Sequence, residues 1–230
     1  MVKQDQLWPD GPVFYYDTDL FCPTTDSFAL GYFARPRYGE RICDLGCGVG
    51  LLGALLLARS DTLRLFNVEL NAQALVLARR TFAQNGWTAD FSCGDLRDTG
   101  ALPAAGTVDY VVCNPPYFKS GSGRSAIGQA RQRAREETDC TLADVCAAAA
   151  RILRWGGRFA LVYRPERLAE AVSTLCAHAL EPKRLRFVHP RADAAPSLLL
   201  LEARRGGRSG LTVEPPLIVG SAEWDAVYFR

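Results

Sequence analysis

The sequence predicts an α/β domain: a seven-stranded, mostly parallel sheet with one antiparallel strand and helices on both faces. Three observations carry that expectation. Apolar runs of strand length alternate with helical stretches five times along the 230 residues, as in repeated βαβ units. The first run, Arg41-Ile-Cys-Asp-Leu45, leads into a glycine loop, Asp44-Leu-Gly-Cys-Gly-Val-Gly50, of the kind that follows the first strand of a nucleotide-binding sheet. The last two runs, Arg184–His189 and Ser197–Ala203, leave no room for a helix between them and so form an antiparallel pair.

The elements follow in order. Residues 1–24 read as loop, with Pro9, Gly11 and Pro23, before a short amphipathic helix over Ser27–Ala34 capped by Thr25 or Asp26. After the glycine loop, Leu51–Arg59 is helical, Leu63–Glu69 a strand, and Ala72–Asn85 a helix stopped by Gly86. Ala89–Cys93 is the third strand. Val108–Cys113 is the fourth, almost wholly apolar as a strand covered on both faces must be. Residues 119–132 form a long loop, with helix resuming near Gln129–Glu137. The Ala-rich helix Leu142–Leu153 ends at Trp155-Gly-Gly157, where Trp155 is expected to plug the core. Arg158–Tyr163 is strand five and Glu166–Ala179 a helix. The expected organisation is a segment 1–38 covering the ligand cleft and one domain over 39–230.

Composition narrows the class. Hydrophobic residues make up 48%, enough for a large core. No uncharged apolar run reaches the roughly 18 residues of a membrane span, and the N-terminus has no signal-peptide pattern; a cytoplasmic protein, monomeric or weakly dimeric and without a membrane partner, is expected. The eight cysteines (22, 43, 47, 93, 113, 140, 146 and 176) include no C-x-x-C pair, and only His178 and His189 could join them. They read as small buried apolar residues, and no metal site is expected. Residues 1–118 carry 9 Lys/Arg against 13 Asp/Glu, and 119–230 carry 18 against 12. A basic second half is compatible with a nucleic-acid face and equally with a solvated surface.

The glycine loop lets backbone approach a ligand that a Cβ would exclude, and the helix after it offers free N–H groups. Gly48-x-Gly50-x-x-Gly53 also fits the dinucleotide spelling, so NAD has to be weighed. Asp44, placed to meet a positive ligand group, Glu69, able to take two ribose hydroxyls, and Asp95, able to take an adenine amino group, stand at successive strand ends with no cation for phosphates. That set favours S-adenosylmethionine. Gly46, Cys47, Gly48, Gly50, Leu70, Leu96 and Asn114 complete the expected cofactor contacts.

Asn114-Pro115-Pro116-Tyr117 closes the fourth strand. The Asn114 side-chain oxygen and the Pro115 carbonyl can each accept one hydrogen of a planar NH₂ group. The nitrogen's lone pair is then freed from its ring and can aim at a methyl donor, so catalysis is mainly alignment. Tyr117, and next to it Phe118, can stack on a base swung out of its helix. Lys119, Arg124, Arg131, Arg133, Arg135, Arg164, Lys183 and Arg184 are the candidate phosphate contacts.

Together these two motifs resemble those of class I S-adenosylmethionine-dependent methyltransferases acting on amino nitrogens. Asn114-Pro-Pro-Tyr-Phe-Lys119, Ala134-Arg-Glu-Glu137, Gly156-Gly-Arg-Phe-Ala160, Arg164-Pro-Glu-Arg-Leu168 and Glu181-Pro-Lys-Arg-Leu-Arg-Phe-Val-His-Pro190 resemble the bacterial tRNA1(Val) (adenine-37-N6)-methyltransferase family. The resemblance implies a Rossmann-like fold, S-adenosylmethionine as cofactor, tRNA as partner and an anticodon-loop adenine as target. The residues alone leave open a protein-glutamine N5-methyltransferase, an rRNA or DNA amino-methyltransferase, and a non-catalytic S-adenosylmethionine- or RNA-binding module.

Overall fold

In the computed structural model the described residues are 1–20, 24–115 and 140–228. Seven long strands build the main sheet: β3 (Arg41–Leu45), β4 (Arg64–Glu69), β5 (Ala89–Cys93), β6 (Val108–Cys113), β7 (Leu153–Tyr163), β8 (Leu180–His189) and β9 (Leu198–Arg205). Their spatial order is β8-β9-β7-β6-β3-β4-β5. Only β9 runs against its neighbours β7 and β8, which is the antiparallel strand expected from the short final connection. The two-residue strands β10 (Thr212–Val213) and β11 (Leu217–Ile218) add to the outer side of β8. No described helix is long and apolar enough to cross a membrane.

The helices α1 (Thr25–Phe33), α2 (Leu51–Leu57), α3 (Ala72–Gln84), α4 (Leu142–Ile152), α5 (Leu168–Ala177) and α6 (Ala222–Val227) cover the sheet. Strand β6 shows how both faces are used. Tyr110 and Val112 belong to the core layer with Leu30, Leu55 and Leu77, whereas Val111 and Cys113 join Ile152, Leu161 and Leu175 in the other. This is the period of two expected of an extended chain. Caps fall where short polar side chains precede apolar runs. The Asn71 side chain accepts from the Gln73 and Ala74 amides, and Thr141 with Asp144 forms a reciprocal capping box.

Three sequence expectations need correction. Residues 1–24 are not mainly loop: β1 (Val2–Gln6) and β2 (Val13–Asp17) pair as an antiparallel hairpin. It is seated on α3 through Tyr15 N–H to Thr81 Oγ1 at 3.0 Å and Val13 N–H to Asn85 Oδ1 at 3.0 Å. Trp155 is no core plug. Strand β7 starts at Leu153, runs through both glycines, and leaves Trp155 72% exposed. The helix does stop before these residues, at Ile152, and Gly156, with φ +76°, a region open to glycine, lets residues 154–157 bulge out before β7 pairs continuously from Arg158. Finally, Cys43, Cys47, Cys113 and Cys146 are buried as expected, but Cys93 and Cys176 are exposed.

The C-terminal residues fold back as a clasp. Arg186 grips Glu223 with two bonds of 2.7 Å, Tyr32 Oη donates to Glu223 at 3.1 Å, and the Phe28 and Tyr228 rings stack 4.6 Å apart. Helix α6 thus holds α1 against the sheet.

Candidate active site

Parallel strands bring their carboxyl ends to one edge, and register decides which residues meet there. Asp44 lies opposite Val112 on the adjacent strand. Two residues further, Gly46 and Asn114 leave the sheet at the same level, on strands about 4.8 Å apart. Cys113 lies opposite Leu161, which puts Arg164 at the same edge, one strand beyond the Asn-Pro-Pro turn. Glu69 lies opposite Cys93, so Asp95 follows on the other side.

The loops leaving these strands are laced together. Gly46 and Cys47 amides donate to the Val68 carbonyl at 2.9 and 3.0 Å, and the Gly94 amide donates to the Glu69 carbonyl at 3.0 Å. The Glu69 carboxylate accepts from the Gly48 and Asn71 amides, both at 2.8 Å. A carboxylate has about four acceptor positions, so these two bonds orient Glu69 and leave capacity for ligand hydroxyls. Gly46 is exposed with φ +71°, and a Cβ built there meets nothing within 4 Å. Gly50 is different in kind, since its Cβ would press on Ala78 and Phe82 at 3.0 and 3.1 Å. The first glycine opens toward the cleft; the second lets α3 pack close.

Asp44 is the most unusual charge in the chain. It is 1% exposed, and its Oδ2 has no hydrogen-bond partner among the described residues. Burial pushes its carboxyl up to about 7, the Gly53 amide pulls it down, and the nearby Glu69 charge pushes it further up. A buried acceptor left without a donor is costly in a finished fold. A cationic or N–H-bearing ligand group at the strand end relieves that cost, which matches the expectation that Asp44 meets a positive group. The open glycine, the oriented Glu69 and the under-satisfied Asp44 together fit S-adenosylmethionine.

Asp95 arrives with a partner the sequence reading did not foresee. The Arg97 guanidinium grips both carboxylate oxygens, at 2.6–3.0 Å, and holds the carboxyl below its ordinary range. The pair is solvent-facing, with side chains 42% and 30% exposed, and such pairs are readily exchanged. Leu70 and Leu96 flank the cleft on the same loops, Leu70 45% exposed.

Asn114 is half-buried and Pro115 buried. The Asn114 Nδ2 donates to Ser27 Oγ at 3.0 Å across 87 residues of chain. Ser27 sits in the first turn of α1 and is 3% exposed. Sequence reading passed over it, because the one available signal, a small polar residue on an otherwise apolar helix, usually marks a cap. Here the cap position is Thr24, and Ser27 faces the catalytic turn instead. Pro116, Tyr117, Phe118, Lys119, Arg124, Arg131, Arg133 and Arg135 lie outside the described residues.

Comparison with known proteins agrees with this layout. Residues 30–178 match the methyltransferase small domain family. The chain is 33% identical over 181 residues to a tRNA1(Val) (adenine(37)-N6)-methyltransferase of Cronobacter sakazakii, covering 77% of this chain and 72% of that protein. A protein of the same name from Dickeya chrysanthemi is 33% identical over 188 residues, covering 80% and 73%. Among solved structures, a predicted O-methyltransferase from Agrobacterium tumefaciens superposes with a TM-score of 0.72 at 22% identity, covering 89% of this chain and 95% of that one. TrmN from Thermus thermophilus gives 0.55 at 19% identity, covering 78% and 48%. The last two bear on the fold alone.

Proposed function

The chain belongs to the methyltransferase small domain family, and from that premise we propose that it methylates the exocyclic N6 of an adenine in tRNA, adenine 37 of the anticodon loop. One observation carries the reading: the donor loop and Asn114 leave adjacent parallel strands at one level, with the Asn114 amide held by Ser27. Asp44, Gly46, Cys47, Gly48, Glu69 and Asp95, with Leu70 and Leu96, would hold S-adenosylmethionine, which supplies an electrophilic methyl group on a sulfonium.

The residues' own work is then mostly geometric. Glu69 would take the ribose hydroxyls, while its bonds from the Gly48 and Asn71 amides keep the glycine loop in place. Asp44 would hold the cationic end of the cofactor, and that positive charge would favour its ionised form. Asn114 Oδ1 and the Pro115 carbonyl accept the two hydrogens of the target amine, which pyramidalises the nitrogen and turns its lone pair toward the donor. Proton loss follows methyl transfer, so no general base is needed. Tyr117 would stack on the extruded adenine, and Arg164 and the basic residues after the catalytic turn would meet phosphates.

Incubation with labelled S-adenosylmethionine and separate pools of tRNA, rRNA, DNA and protein tests the substrate. Label is expected in tRNA as N6-methyladenosine; label found only in protein as N5-methylglutamine removes the RNA reading. Asn114→Ala is expected to retain cofactor binding and lose at least about 100-fold in kcat, the scale set by lost alignment.

A further inference from the structure

We propose that the groove beside Trp155 is a second RNA contact, where an unstacked base of the substrate lies on the indole and its phosphates meet Lys183, Arg204 and Arg208; this rests on RNA being the substrate class. Trp155 is 72% exposed, yet its ring is not loose on the surface. Gly206, with φ +63°, lies directly under it, and any Cβ there would collide with the indole. The ring therefore lies on the Gly206 backbone and presents its other face outward. The groove it borders is open and holds about 340 Å³, within the range of small-ligand sites.

Charge distinguishes this groove from the rest of that edge. Arg154, Arg158 and Arg184 are each paired with a carboxylate (Asp109, Glu40 and Glu202). Lys183, Arg204 and Arg208 have no carboxylate partner among the described residues. Their positions are nevertheless defined: Lys183 donates to the Arg208 and Gly210 carbonyls, and Arg204 Nε to the Gly156 carbonyl at 3.2 Å. Glu181, opposite Arg204 in the β8–β9 register, has its carboxylate 4.0 Å from Cys176 Sγ. A fixed aromatic face beside unpaired cations is how proteins hold single-stranded nucleic acid: stacking tolerates any base, and the cations track the backbone.

Position predicts which part of the RNA is held. Trp155 lies in the bulge between the Leu153 and Arg158 pairings of β7, and Tyr163 closes the strand at the catalytic edge, so the two are about 16–23 Å apart along the strand at roughly 3.3 Å per residue. An RNA with its target base in the catalytic cleft reaches Trp155 with a segment about that far from the base, at the far end of the anticodon stem or beyond it, and full-length tRNA supplies one.

The test measures the Kd, kcat and KM of labelled full-length tRNA for wild type, Trp155→Ala and Trp155→Phe. Trp155→Ala is expected to weaken full-length tRNA binding about tenfold, the scale of one stacked base, with kcat at saturation within twofold of wild type. Trp155→Phe, which keeps a stacking face, restores most of the loss. Arg208→Ala lowers the slope of log Kd against log salt by about 0.7. Unchanged tRNA binding in Trp155→Ala, or a loss that Trp155→Phe does not restore, overturns the proposal. The substrate reading fails separately: wild type that binds tRNA through Trp155 but leaves it unmethylated sinks the reaction and keeps the groove.

Discussion

Replacing Ser27 with Ala removes one hydroxyl from a helix and tests how the catalytic asparagine is aimed. Ala is the better helix former by a few tenths of a kcal/mol, and Ser27 makes no capping bond, so folding should survive. What is lost is the 3.0 Å acceptor for Asn114 Nδ2. Losing one of the bonds that fix a half-buried amide costs about 1–3 kcal/mol, and the side chain is then held less firmly against rotation. Rotation carries Oδ1 away from the amine it must hold. If the same 1–3 kcal/mol is missing from the transition state, kcat falls roughly 5- to 150-fold. The KM values for tRNA and S-adenosylmethionine should stay within about twofold, because base stacking, phosphate contacts and the glycine loop do not pass through Ser27. Steady-state methylation of tRNA by wild type, Ser27→Ala, Asn114→Ala and the double variant gives the answer as a cycle. Ser27 acts only through Asn114, so adding Ser27→Ala to Asn114→Ala should change kcat by less than twofold. Two losses that multiply in the double variant, or a Ser27→Ala enzyme as fast as wild type, would refute the reasoning.

Two further predictions concern ionisation and the C-terminal clasp. Asp44→Asn keeps an acceptor for the Gly53 amide; because burial raises the wild-type carboxyl from 3.8 to about 7, wild-type stability drops as pH rises through that interval and the variant escapes the loss. In thermal melts at pH 8 the ligand-free variant should be more stable by about 2–4 kcal/mol, yet gain nothing from S-adenosylmethionine; equal pH profiles for the two proteins exclude a buried, ionising Asp44. Glu223→Ala leaves Arg186, itself 5% exposed, without its two-pronged partner and should cost about 1–3 kcal/mol by urea titration. Since Arg186 holds the Glu223 carboxyl below 4.5, this stability is present above that value and fades as pH falls, so the gap between variant and wild type should close in acid.

The sheet was legible because burial on both faces leaves a plain mark in the chain. Val108–Cys113 is apolar almost throughout, and its observed bounds are those read from sequence. The site's loops were legible for a related reason: chemistry at strand ends is written in short contiguous motifs, such as Asp44 to Gly50 or Asn114-Pro115. The first hairpin left no such mark. All five residues of β1 (Val-Lys-Gln-Asp-Gln) are exposed, so no alternation marks them, and the strand exists because β2 pairs with it and rests on α3. Trp155-Gly-Gly157 marked the end of α4 correctly, at Ile152, but not the place of Trp155: residues 154–157 bulge out between the Leu153 and Arg158 pairings of β7 with β6, which leaves the indole on the surface instead of in the core.

What sequence cannot show is which distant residue orients a near one. Ser27 and Asn114 are 87 positions apart, and neither the helix period nor the strand period points one at the other. Their meeting depends on α1 lying over the carboxyl end of β6, and that depends in turn on Phe28 against Tyr228 and Tyr32 against Glu223. The aim of the catalytic amide is therefore set partly by the last helix of the chain. Loosening α6 should lower kcat through Ser27 before it affects cofactor affinity, since Asp44, Gly46 and Glu69 are held by β3, β4 and their own backbone bonds. A Glu223→Ala enzyme that loses cofactor affinity first would place the clasp on the donor side of the cleft and contradict this chain of support.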